Sequence, residues 1–175
     1  MARVEADDNV RALLDAIAWA EIGPEMLADL RTDDGYCVLV GSLPGALKLF
    51  DDYSDHPLID KPALEYTPGL YSSAAGRYQI LSRYWRHYQQ QLGLPDFGPE
   101  SQDRYAIQQL REQGALEPIG RGDLQTAIER CGNIWASLGH NDYEQPTHRY
   151  EVIEQAFVNA GGIVWDSEAL NKRIR

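Results

Sequence analysis

The chain has 175 residues, with 27 acidic against 16 basic side chains and a formal net charge of −11. That balance excludes recruitment to nucleic acid, whose phosphates require clustered Lys and Arg, and gives no attraction to an anionic membrane surface. The length fits one domain, or two lobes sharing a core. No apolar run reaches membrane-spanning length, so no membrane insertion is expected.

Predicted elements alternate between helical periods and one irregular stretch. A first helix is expected from about Asp8 to Ala20, stopped by Gly23-Pro24. Asp33-Asp34-Gly35 reads as a turn before Tyr36-Cys37-Val38-Leu39-Val40, a short β-rich run. Ser42 to Lys48 looks like a loop, and Phe50 to Ser73 suits small strands or an ordered loop. Helical patterning returns over Ile80–Leu92, with Gly93 as C-cap, then over Pro99–Gln113 and from an Asp123 N-cap to Arg130. Asn133–Leu138 forms a short helical piece, and a last helix runs from a Thr147 N-cap to before Gly161-Gly162. The fold class is therefore α+β within a single domain: a small β-containing or irregular lobe over residues 35–79, and a helical lobe from 8–34 and 80–162. That division implies a cleft between lobes.

Two segments carry candidate chemistry. Val10, Leu13, Leu14 and Ile17 recur at offsets 0, 3, 4 and 7, one face of a helix, and Glu21 returns to that face eleven residues after Val10. Its carboxyl then points toward the core at a helix C-terminus, where burial and the dipole both favour the protonated form that a general acid needs. Downstream, Gly76-Arg77-Tyr78-Gln79 places a glycine permitting close backbone approach beside an aromatic face and a bidentate amide. Such a set suits sugars bearing N-acetyl groups. An ordinary turn with core aromatics reads as well on local grounds, as does a solvent-facing Glu21.

The remaining candidates are weaker. Tyr36, Tyr53, Tyr66, Tyr71 and Tyr78 crowd the irregular lobe, and some should line a groove. Asp51-Asp52-Tyr53-Ser54-Asp55-His56-Pro57 matches neither an EF-hand nor a zinc spacing, so no metal is expected, and no cofactor. Cys37 and Cys131 lack metal or secreted-disulfide spacing and read as free thiols of a reducing compartment. Met1 to Asn9 lacks the regions of a signal peptide, so synthesis in the cytoplasm is expected.

Taken together, Ala18-Trp19-Ala20-Glu21, Gly35-Tyr36, Asp52–Pro57, Gly76–Gln79 and Asn133-Ile134-Trp135-Ala136-Ser137-Leu138 closely resemble the lambda-type phage endolysins, in the same order from about Val10 to Gly162. Gln102-Asp103, Gly114-Ala115-Leu116 and Arg121-Gly122-Asp123 also match. The resemblance implies a lysozyme-like two-lobed fold and lytic transglycosylase activity on bacterial peptidoglycan glycan strands. The β-1,4 bond between N-acetylmuramic acid and N-acetylglucosamine would be cut with formation of a 1,6-anhydro ring. Glu21 falls on the catalytic glutamate. Gly76, Arg77, Tyr78, Gln79 and Tyr53 are expected in substrate binding, with Tyr143 and Gln145 at the cleft rim. A monomer is expected, made in the host cytoplasm and released to the wall by a separate holin-like protein.

Two departures stand out. Where the family type has an Asp after its Gly-Tyr pair this chain has Cys37, although Asp33, Asp34, Asp51 and Asp52 lie close in sequence. Extra residues also occur around Leu43 to Lys48, which should alter the tip of the upper lobe. A water-using muramidase with a second carboxylate in the 51–55 stretch is the alternative enzyme, and a non-catalytic wall-binding or virion module the alternative of another class.

Overall fold

The computed structural model describes residues 1–139 and 146–165. Its axis is helix α1 (Asp8–Ile22). The Asp7 side chain caps it by accepting from the Asn9 amide at 2.9 Å. Beyond the stripe of Val10, Leu13, Leu14 and Ile17, the small residues Ala12, Ala16 and Ala18 are also buried. A helix apolar nearly all round belongs in the centre of a domain, and here the last helix α7 (Pro146–Asn159), α5 (Leu116–Gly120) and α4 (Pro99–Glu112) pack against it. Gly23, at φ +85°, ends α1 with its N–H on the Trp19 carbonyl at 3.0 Å. Pro24 then opens the short helix α2 (Pro24–Leu27), where its missing N–H costs nothing.

Helix α1 extends two residues past its expected end, so Glu21 sits in its last turn. Tyr36 to Val40 is not the strand that its composition predicts. Tyr36 and Cys37 lie in a turn, and only Val38 and Leu39 pair, through single antiparallel bridges to Leu49 and Ala75. Two hairpins follow. Strand β1 (Leu64–Thr67) pairs with β2 (Leu70–Ser72), and β3 (Ala74–Ala75) with β4 (Ile80–Leu81). Ile80 and Leu81 thus belong to β4, and α3 (Ser82–Leu92) starts later than the periodicity suggests. Cross-strand hydrogen bonding takes precedence at that short segment.

Ser42 closes the 42–48 loop, since its hydroxyl donates to the Lys48 carbonyl and accepts from the Lys48 amide, both at 2.9 Å. The Asp123 carboxylate caps α6 (Leu124–Cys131) by accepting from the Thr126 amide at 3.1 Å. A 3-10 turn, Ala136–Leu138, then lies against α1. The last helix begins at Pro146, so Thr147 is inside it rather than capping it.

Candidate active site

Glu21 is half-buried in the last turn of α1 and accepts a hydrogen bond from the Ser137 hydroxyl. Ser137 lies in the 3-10 turn after α6, and two residues earlier the buried Trp135 indole donates to the Tyr78 carbonyl at 3.2 Å. The end of α1, the 136–138 turn and the loop joining β3 to β4 therefore form one connected unit. That loop is Gly76–Gln79, closed by the Gln79 amide on the Gly76 carbonyl at 3.1 Å.

Its conformation is unusual at both ends. Gly76 has φ +77° and Gln79 has φ +48°. At Gly76 a side chain has no room, because a Cβ would lie 2.7 Å from Gln102 Cδ and closer still to its oxygen. Gln102, fully buried on α4, occupies that space and holds the loop. Its oxygen accepts from the Arg77 amide at 2.9 Å, and its nitrogen donates to the Tyr36 and Phe97 carbonyls at 3.0 and 2.8 Å. The Gln79 amide nitrogen donates to the Gly76 carbonyl at 2.9 Å, fixing a half-buried side chain at the loop's end.

Arg77 and Tyr78, expected at the substrate, are placed in the interior instead, at 2% and 1% exposure. The Arg77 guanidinium pairs with Asp15 at 2.7 Å and with Asp34 at 2.9 Å. Tyr78 and Tyr36 donate to Asp103 Oδ1 at 2.6 and 2.8 Å, while the backbone N–H groups of Arg3 and Val4 donate to Oδ2. Burial pushes both tyrosine hydroxyls well above their ordinary pKa, so they remain proton donors. Burial also raises the Asp103 carboxyl, against the four hydrogen bonds that favour its charged form. These two buried side chains build the support beneath Gln79. Gly76 likewise acts through the loop it allows.

Tyr53 is half-buried, with its hydroxyl on Asp33 at 2.9 Å and its ring edge-on to Phe50. Tyr143 and Gln145 lie outside the described residues. Sequence reasoning gave no role to Ser137, Gln102 or Asp103. The signal for the last was present: Asp103 shares a stripe with Ala106 and Leu110, a polar residue in register with a buried face.

The Endolysin family model matches residues 11–164. The endolysin of Escherichia phage lambda is 46% identical over 161 residues, covering 92% of this chain and 96% of its own length. That of Escherichia phage P2 is 44% identical over 162 residues, covering 91% and 97%. Among solved structures, the lysozyme from bacteriophage lambda superposes with a TM-score of 0.80 at 43% identity, covering 93% of this chain and 99% of that one. The bacteriophage lambda lysozyme complexed with a chitohexasaccharide gives 0.77 at 45% identity, over the same shares. The chain belongs to the endolysin family.

As an endolysin it has the lysozyme-like α+β fold and is a wall-degrading, glycan-cleaving enzyme. Several acids near the departure at Cys37 are already engaged in this endolysin. Asp33 binds Tyr53 and Arg3, and Asp34 binds Arg77. Asp52 accepts from the Ser54 amide at 2.8 Å, and Asp55 from the Trp85 indole and the His56 amide, both at 2.7 Å. Cys37 itself is buried, its thiol pushed up by burial and donating to the Arg31 carbonyl at 3.4 Å. Cys131, buried on α6, has its thiol pushed up to about 12 by burial alone.

Proposed function

We propose that this endolysin is a lytic transglycosylase in which Glu21 is the single acid–base group. The observation that carries the reading is the placement of Glu21. It is half-buried and oriented by Ser137, within the unit that also holds Gln79, while Asp55 is held by the Trp85 indole and the His56 amide.

A water-using glycosidase of the usual type needs two carboxylates. Here the substrate supplies the second reacting group at high effective molarity. Glu21 as a carboxylic acid protonates the glycosidic oxygen as the bond from muramyl C1 to that oxygen breaks. The C6 oxygen of the same muramyl residue bonds to C1, and its proton passes to the Glu21 carboxylate. The enzyme is regenerated, no water is consumed, and the product ends in a 1,6-anhydro ring. Gln79 orients the sugar and its N-acetyl group, on the support of Tyr78 and Arg77. Tyr53, Tyr143 and Gln145 complete the cleft rim in this reading.

The partner is the glycan strand of bacterial peptidoglycan, bound by a monomer. No helix among the described residues is long and apolar enough to cross a membrane. In this reading, which its similarity to phage endolysins supports, the protein is made in the host cytoplasm and released to the wall by a separate holin-like protein. Mass spectrometry of digested murein tests the chemistry. Anhydromuramic ends are expected, and reducing muramic ends would instead establish the muramidase with a second carboxylate. Glu21→Gln is expected to abolish the turbidity loss of permeabilised Gram-negative cells. Equal lysis by wild type and variant would sink the assignment and favour a non-catalytic module.

A further inference from the structure

Arg3 precedes residues 11–164, the part that matches the family, yet three main-chain hydrogen bonds fix its place. The Ala2 amide donates to Asp15 Oδ1 at 2.7 Å, and the Arg3 and Val4 amides donate to Asp103 Oδ2 at 2.5 and 3.0 Å. Ala2 is buried, so this segment is clamped onto α1 and α4. The Arg3 side chain therefore leaves from a fixed point. Holding its guanidinium in one place costs less entropy than it would on a loose chain.

That guanidinium lies over the Tyr36 ring at 4.9 Å and pairs with Asp33 Oδ1. The other oxygen of the same carboxylate accepts from the Tyr53 hydroxyl at 2.9 Å. Tyr53 is held at its base as well, since its carbonyl accepts from the Phe97 amide at 2.7 Å and its ring packs edge-on to Phe50 at 5.3 Å. The direction of its hydroxyl end is then set by Asp33. Burial keeps the Cys37 thiol beside that hydroxyl neutral, so Asp33 supplies the negative charge there and Arg3 the counter-charge. Asp33 has φ +49°, a conformation that a residue with a side chain keeps where its surroundings hold it. Both members of the Arg3–Asp33 pair are half-exposed, and such pairs add little to stability. The effect of the pair falls on the aim of Tyr53.

We infer that Arg3 is a positioning residue for substrate binding, holding the Tyr53 hydroxyl at the cleft rim through Asp33. This rests on the rim placement of Tyr53 in the proposed function. The test measures kcat and KM for cleavage of soluble murein fragments by the full chain, with thermal unfolding alongside. Arg3→Ala is expected to raise KM about threefold, the scale of one half-exposed charge pair. Its kcat should change little, because Glu21 keeps its bond from Ser137, and its unfolding midpoint should hold. Arg3→Lys keeps a cation on Asp33 and should restore part of the loss. Tyr53→Phe should also raise KM, and adding Arg3→Ala to it should have no further effect, since the hydroxyl that Arg3 positions is gone. An unchanged KM in Arg3→Ala, whether or not the midpoint falls, would overturn the inference. So would no recovery in Arg3→Lys, or additive effects of the two substitutions. An unchanged KM in Tyr53→Phe would remove the rim placement and the inference with it, whereas a rise in Tyr53→Phe without one in Arg3→Ala strikes the inference alone.

Discussion

The Ser137 hydroxyl donates to the Glu21 carboxylate across 116 residues of sequence, joining the last turn of α1 to the 3-10 turn after α6. A half-buried carboxyl at a helix end has several rotamers, and this bond selects among them. Ser137→Ala is expected to lower kcat about tenfold, or ~1.4 kcal/mol, with KM little changed and the fold intact. Steady-state turnover of murein beside thermal unfolding checks it. Loss of stability without loss of kcat would make Ser137 structural only.

Asp103 is the acceptor on which Tyr36, Tyr78 and the N–H groups of Arg3 and Val4 converge. Asp103→Ala leaves buried donors unsatisfied, and a loss of about 2–4 kcal/mol is expected. Asp103→Asn should recover part of it by keeping one oxygen. Denaturant unfolding of the two variants gives the difference, and the Gln79 side-chain resonances should move in both.

Gly76→Ala is expected to be severe, because it combines a positive φ with overlap onto the buried Gln102 amide. The loss should be about 2–4 kcal/mol, with activity falling further than stability because the Gln79 loop must shift. Gly76→Ala combined with Gln102→Ala should relieve the overlap but not the φ strain. A double-mutant cycle read by unfolding separates the two.

His56 gives a pH prediction with a definite sign. The ring is buried, with Nε2 on the Ile80 carbonyl at 2.8 Å and Nδ1 accepting from the Leu58 amide at 3.1 Å. It is therefore held neutral, as the Nε2–H tautomer. Burial pushes its pKa below the ordinary 6.5, outweighing the Ile80 carbonyl and Asp55. Below 6.5 the unfolded chain binds a proton that the folded one does not, so stability is fully present above that pH. It is lost as pH falls toward the folded value. Thermal unfolding across this window should show the slope, and His56→Gln should flatten it.

Helix α1 and the position of Glu21 were legible in the chain because a 3.6-residue period records which face is buried without reference to any other segment. Gly23-Pro24, Gly93 and the Asp123 cap were legible for the same local reason, since each acts on its neighbours within a turn. The Tyr36–Val40 run was misleading: β-propensity describes a residue's fit to a pleated surface, and here only Val38 and Leu39 find a partner.

The roles within Gly76–Gln79 divide along the same line. That a glycine, an aromatic ring and an amide occur together near a helix start is a property of the sequence. Which of them faces a substrate is not. Arg77 and Tyr78 turn inward because Asp15, Asp34 and Asp103, brought from α1, the 33–35 turn and α4, pair with the terminal guanidinium nitrogens and the Tyr78 hydroxyl in the interior. The amino-acid sequence by itself determined the buried helix, its terminal acid and the turn that follows. Only the tertiary structure decided which polar groups meet, because burying a charge or hydroxyl depends on partners many residues distant in the chain.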